Sequence, residues 1–283
     1  MKRVTATVTS VLVASLIAVA ITPSAFAESP ELGRCIKVTT GKFKTGTCTT
    51  PATETENNWE WFPGPGPKPQ FVMGGYMRFK TVGDRRVNCG VTRLPGEWTG
   101  PKTALIEIEM QGCGGPDAGP HMDCGTTPED IVPFGFDVIH TLHPIEAELG
   151  LIKGGATPTV GLELKSPPPP EPGMLQFTCY HVCLPEPLCN GVEVRQSEWI
   201  ISDSVIAEVQ PVDQMTFKTR VYVVSEEGKQ VPESFEGGPK ATLEATIAEP
   251  VWLFKEQVGL IGESGFSGPM GYETEEKLEI KAS

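Results

Sequence analysis

The sequence predicts an all-β protein: a single disulfide-stapled β-sandwich or barrel of about ten to twelve strands that follows a cleaved leader. Three observations lead there. Several segments alternate apolar and polar residues with a period of two, which turns every second side chain to one face of a sheet. The 31 glycines and 27 prolines are scattered along the chain, as the turns between short strands require. The eight cysteines all lie downstream of an export signal, and an even number of cysteines in an oxidising compartment favours disulfides over thiols or metal.

The elements follow in chain order. Lys2 and Arg3 precede an apolar run from Val11 to Ile21, then Pro23 and Ala25-Phe26-Ala27. A positive start, an apolar centre and an A-x-A site make residues 1–27 a secretory signal peptide, because the apolar run falls short of the ~20 residues of a membrane span. The mature chain, 28–283, then starts near Glu28. Ile36 to Thr47 reads as a strand pair with its turn near Lys42 to Gly46. Phe71 to Val82 reads as a strand, and Ile106 to Met110 is the clearest alternation. Val160 to Leu164, Leu175 to Tyr180, Val192 to Val209, Thr219 to Val223, Val251 to Ile261 and Leu278 to Ala282 complete the set. Pro63 to Pro69 lacks the backbone N–H groups a sheet needs, and Gly114 to Pro120 is a turn cluster. Ser166 to Pro172 contains four consecutive prolines and should run as polyproline II. It is either a boundary between two parts or a loop within one domain.

Proximity alone suggests the pairing of the cysteines. Cys35–Cys48 and Cys113–Cys124 close short loops, each removing roughly 3 kcal/mol of denatured-state entropy in the chain-entropy account. Cys183–Cys189 closes a proline-rich loop, which leaves Cys89–Cys179 as the long-range link. Zinc is the competing use, through Cys179-x-His181-x-Cys183 with His121-x-Asp123-Cys124, but zinc sites prefer C-x₂₋₄-C spacing with a second ligand pair. His140 and His143 fall on opposite faces of an extended segment and read as surface histidines. No metal and no cofactor is expected.

No catalytic residue stands out. Gly262 to Gly268 is rich in serine and glycine but matches G-x-S-x-G at neither serine, so it reads as a mobile loop. Carboxylates are plentiful, and a glycosidase needs a pair some 5–10 Å apart, yet nothing singles out two of them. The acidic run Glu273 to Glu279 lacks the calcium-loop pattern. Trp59 and Trp61, in Trp59-Glu60-Trp61-Phe62, are the candidate ligand-binding residues, since exposed tryptophans stack on sugar rings. The alternative, that they share one strand face and plug one end of the core, is favoured by the usual burial of large aromatics.

The formal net charge is −13, and losing Lys2 and Arg3 with the leader makes the mature chain two units more negative. Such a surface repels phosphate backbones, which sets nucleic acid aside as a partner, and it disfavours anionic membranes. No second apolar stretch reaches membrane-spanning length.

Several phrases taken in order resemble uncharacterised secreted proteins of actinobacteria. They are Glu31-Leu32-Gly33-Arg34-Cys35-Ile36-Lys37-Val38, Trp59-Glu60-Trp61-Phe62-Pro63-Gly64, Thr99-Gly100-Pro101-Lys102, Gln111-Gly112-Cys113 and Glu146-Ala147-Glu148-Leu149-Gly150. Pro211-Val212-Asp213-Gln214-Met215, the run Gly228 to Gly238 and Glu256-Gln257-Val258-Gly259 follow. The resemblance covers nearly the whole mature chain and implies one unit; the segment Pro133 to His143 and the Cys183/Cys189 pair depart from it. It implies export and a β fold, and transfers no activity.

The expected function is that of a secreted or cell-envelope-exterior protein, non-enzymatic, which binds an extracellular partner or ligand, or serves as an envelope-associated structural protein. The alternative is a secreted hydrolase acting on glycans through paired carboxylates. A third reading, an inhibitor or toxin, would need Cys183–Cys189 to project Leu184 to Leu188 into solvent.

Overall fold

The computed structural model describes residues 29–115, 122–131, 137–171, 173–183, 193–250, 252–265 and 277–282. The leader 1–27, the Cys189 end of the expected Cys183–Cys189 bridge and the loop Leu184 to Leu188 lie outside them. The described chain is all β, with one 3-10 turn at Pro128–Asp130. Its strands are β1 (Glu31–Lys37), β2 (Trp59–Pro63), β3 (Gln70–Thr81), β4 (Arg86–Trp98), β5 (Thr103–Ile106), β6 (Glu109–Gly114), β7 (Met122–Gly125), β8 (Ile139–His140) and β9 (Ile145–Lys153). They continue as β10 (Thr159–Lys165), β11 (Leu175–Cys183), β12 (Glu193–Gln210), β13 (Arg220–Glu226), β14 (Lys229–Val231), β15 (Leu243–Glu249), β16 (Trp252–Gly265) and β17 (Glu279–Lys281). These 17 strands exceed the expected ten to twelve. The surplus includes pieces such as β8 and β14, which are too short for a period of two to register.

Alternation makes the longer strands. In β9, Ile145, Ala147 and Leu149 are buried while Glu146 and Glu148 are exposed. In β15, Leu243, Ala245 and Ile247 are buried between half-buried Glu244, Thr246 and Ala248. The inward residues form one cluster, in which Phe79, Phe177 and Trp199 stack in a row at centroid distances of 5.9 and 5.7 Å. Each such side chain stabilises the fold by roughly 1.5–3 kcal/mol on burial. A charge at Ile247 would break the layer.

Two sheets result, one of three strands (β17-β1-β2) and one of fourteen, both antiparallel. Four long strands, β3, β4, β12 and β16, run through the large sheet, and shorter strands join them into two closed paths. One path runs from β12 through β11, β7, β6, β4, β3, β16 and β15 back to β12. The other runs from β12 through β10, β9, β5, β4, β3, β16 and β13 back to β12. Closure removes the unpaired edges that invite aggregation. The Pro-rich stretch lies between β10 and β11, and both of these pair with β12, at Ser204–Val209 and Glu193–Ile201 respectively.

Register decides the disulfides. Cys35–Cys48 is present, as expected. The expected Cys113–Cys124 and Cys89–Cys179 pairs are not; the bonds are Cys89–Cys113 and Cys124–Cys179. The ladders set Cys89 opposite Cys113 on β4 and β6, and Cys124 opposite Cys179 on β7 and β11. A facing partner with Cα atoms 4.1 Å apart takes precedence over a sequence neighbour, because disulfide geometry is short-ranged. These bonds also withdraw Cys124 and Cys179 from the zinc alternative.

The segment Lys229 to Lys240 straps the second closed path. Gln230, buried, donates its amide to the carbonyls of Val224 and Ile206 at 2.8 and 3.4 Å. The Phe235 ring lies flat on Gly150, which faces Gly161 across the β9–β10 ladder. A Cβ at Gly150 would collide with that ring, so the strap needs glycine there.

Candidate binding groove

The groove lies at the long connection that joins β12 to β13. β12 and β13 pair over only three residues, Glu208 to Gln210 against Tyr222 to Arg220. Pro211 follows and has no N–H to extend the ladder. The chain turns away instead to the three-stranded sheet: Asp213 N–H donates to the carbonyl of Ile280 at 2.9 Å, and Thr216 pairs with Leu278. Between the two ends of this connection and the β9–β10 turn lies a cavity of about 630 Å³, within the usual size of small-ligand sites.

Its lining is mixed. Lys218 and Arg220 bring positive charge, Glu208 and Asp213 negative charge, and Tyr222 and Pro158 offer flat surface. The Arg220 guanidinium reaches the Tyr222 hydroxyl at 3.4 Å. Both carboxylates are already engaged: Glu208 accepts from the Gln210 amide, and Asp213 accepts from the Ala282 backbone N–H at 3.0 Å. No serine, cysteine or histidine lines the cavity. The arrangement can hold a ligand by hydrogen bonds, charge and ring contact.

Trp59 and Trp61 do not line this groove. They lie on β2, half-buried, facing Lys37 and Cys35 across the β1–β2 ladder. The Trp59 ring covers Gly46 and the Trp61 ring covers Gly33, while Lys281 Nζ sits 4.5 Å from the Trp61 centroid. Trp61 is thus packed between Gly33 and Lys281 within the three-stranded sheet, and Trp59 against Gly46 of the β1–β2 connection. Beneath them is Glu279, 3 % exposed, with no hydrogen-bond partner for Oε2. Burial raises its carboxyl above the ordinary range; Lys281 opposes the rise, Asp213 adds to it and Trp61 opposes it.

His143 is exposed and His140 half-buried, and each lies near a carboxylate: His140 Nε2 is 3.5 Å from Asp130, and His143 Nε2 is 3.7 Å from Glu171. Asp130 is held in turn by the backbone and hydroxyl of Thr127, both at 2.8 Å. The start of Gly262 to Gly268 is not a loop, since Gly262 to Gly265 continue β16 and pair with β13; residues 266–268 lie outside the described chain. Among carboxylates, Asp203 and Glu244 are close neighbours on β12 and β15. Asp203 is raised by burial and by Glu244, and Lys255 counters it.

Among the described residues no cluster of His, Cys, Asp and Glu has the make-up of a metal site, and no helix is long and apolar enough to cross a membrane. Sequence reasoning did not reach Lys218, Arg220 or Tyr222. The signal that could have found them is Pro211 directly after a long strand, which marks where pairing must stop. No family model matches the chain, and no curated protein or solved structure shows significant similarity to it.

Proposed function

We propose that this chain is an exported, non-enzymatic binding protein whose ligand site is the groove between β12, β13 and the β9–β10 turn. The observation that carries the reading is the long connection that begins at Pro211, beside which a cavity is lined by both charge signs and a tyrosine, with both carboxylates already engaged in hydrogen bonds. Three disulfides support an oxidising compartment. The resemblance to secreted actinobacterial proteins points the same way. We read residues 28–283 as one unit and the two closed pairing paths as a barrel, because strands on both sides of the Pro-rich stretch share β12. Retention at the cell envelope is compatible with this role.

The test uses the purified exported protein on arrays of glycans and short peptides. Binding that is lost in Tyr222→Ala and Lys218→Glu, with an unchanged melting temperature, supports the groove. Binding that survives both changes places the ligand elsewhere. Turnover of ester, peptide or glycoside substrates would overturn the non-enzymatic reading. The second reading, a glycan hydrolase, has one observation in its favour: the Asp203–Glu244 neighbours, of which Asp203 holds its proton more tightly than usual. Glycosidase activity abolished by Asp203→Asn would establish it.

A further inference from the structure

The β15–β16 hairpin ends in the most exposed large apolar side chains among the described residues. Trp252 is 66 % and Leu253 74 % exposed. The hairpin is closed by pairing of Glu249 with Trp252, so the two side chains stand at the start of the returning strand. Being consecutive in a strand, they point to opposite faces of the ribbon.

The base of the tip is rigid. The Arg85 guanidinium lies 3.9 Å from the Phe254 centroid, donates to Glu256 at 2.5 Å and sits 3.8 Å from Glu249. Glu256 also accepts from the Gly83 backbone at 3.0 Å, which ties the β3–β4 turn alongside. Val82 in that turn is exposed too. The surrounding cations are matched by carboxylates: Lys255 by Glu244 at 2.6 Å, Arg86 by Asp84 at 2.6 Å and Lys80 by Asp84 at 3.2 Å.

We propose that this tip is a lipid-docking element, with Trp252 and Leu253 entering the boundary between headgroups and acyl chains of a zwitterionic surface. Three arguments select that occupant. Apolar groups on both faces of one ribbon are buried together only by a medium that surrounds the tip; a flat protein surface covers one of them. An exposed aromatic contributes at most about 250 Å², far below the roughly 800 Å² per partner of a stable protein interface, so a second copy would need contacts the tip does not offer. The charge ring is balanced and the whole chain is acidic, which fits a neutral headgroup layer and not an anionic one. Tryptophan is suited to that boundary, having an apolar body and a polar N–H. Two side chains give weak, reversible attachment, no stronger than the single-acyl-chain regime.

The experiment is flotation of the purified exported protein with phosphatidylcholine vesicles, alongside quenching of tryptophan fluorescence by brominated phosphatidylcholine. The wild type should float and be quenched. The double variant Trp252→Ser/Leu253→Ser should float at least about tenfold less, given the apolar area removed. Val91→Ser, an exposed apolar residue on β4, should float like the wild type, and thermal melts should show all three folded. A wild type that does not float overturns the proposal, as does a double variant that floats equally. Much tighter binding to phosphatidylglycerol vesicles would overturn it in favour of charge-driven attachment. Concentration-dependent dimerisation lost in the double variant would make the occupant a second copy instead.

Discussion

The two closed paths of the large sheet share four long strands yet are held shut by different devices. The path through β6, β7, β11 and β15 carries two cross-strand disulfides, Cys89–Cys113 and Cys124–Cys179. The path through β5, β9, β10 and β13 contains no disulfide among its described residues. It is closed by shape: a phenylalanine laid on Gly150, a buried glutamine reading two strand carbonyls, and the three-stranded sheet tied on through Leu32 to Pro101 and Glu31 to Lys102. The covalent half ends in the exposed Trp252–Leu253 tip, and the non-covalent half opens into the groove. Covalent closure suits an end that presents a rigid projection. Closure by packing suits an end where a long connection borders an open space.

The comparison breaks most sharply at the disulfides. Replacing Cys124 and Cys179 with alanine should cost about 2–5 kcal/mol, read by denaturant unfolding. Removing Cys35–Cys48 should cost about 1 kcal/mol less, since it closes 13 residues rather than 55. Hydrogen exchange should rise first in β7 and β11 and leave β9 and β10 protected. If β9 and β10 open together with β7 and β11, the two halves are one cooperative unit and the contrast is only topological.

Next in size is Gly150→Val. It drives a side chain into the Phe235 ring, and overpacking of this kind typically costs about 1–3 kcal/mol. Exchange should now rise in the strap around Phe235 and Glu236, whose backbone N–H donates to Leu151. An unchanged melting temperature would mean that the strap does not close this half.

A smaller effect is expected at Glu279, where the sign depends on pH. Burial raises its folded-state affinity for a proton above that of the unfolded chain. The folded state therefore binds more protons, and stability falls as pH rises from the ordinary carboxylate range through the raised value. Glu279→Gln removes that loss: the variant should gain on the wild type at neutral pH, and the gap should close in acid below the unfolded carboxylate range. A gap that widens on acidification would reverse the assignment. Smallest of all, Tyr222→Ala should change stability by no more than about 0.5 kcal/mol, because it lines a cavity and not the core. A larger loss would make Tyr222 a structural residue and weaken the groove as a site.

Much of the scaffold was legible as alternation. Val160, Leu162 and Leu164, and Val221 and Val223, are buried on strands that fall where the alternation of Val160 to Leu164 and Thr219 to Val223 placed them. What escaped was everything that depends on which strand lies beside which. Cys113 is nearer to Cys124 in the chain, but the β4–β6 ladder sets it against Cys89. His140 gains its carboxylate from Asp130, a contact no spacing rule marks. The groove residues come from the β9–β10 turn and the two ends of the β12–β13 connection, unremarkable one at a time. Ser264 and Gly265 looked like loop because glycine and serine are poor strand formers, yet pairing on both edges holds their backbone in β16.

The pairing of Glu31 with Lys281 carries a consequence in time. β1 and β17 stand near opposite ends of the described chain, so until they meet, β1 has only β2 beside it and the indole of Trp61 has no Glu279 near it. A contact between residues so far apart in sequence forms slowly, so the three-stranded sheet should be the last part of the fold to lock.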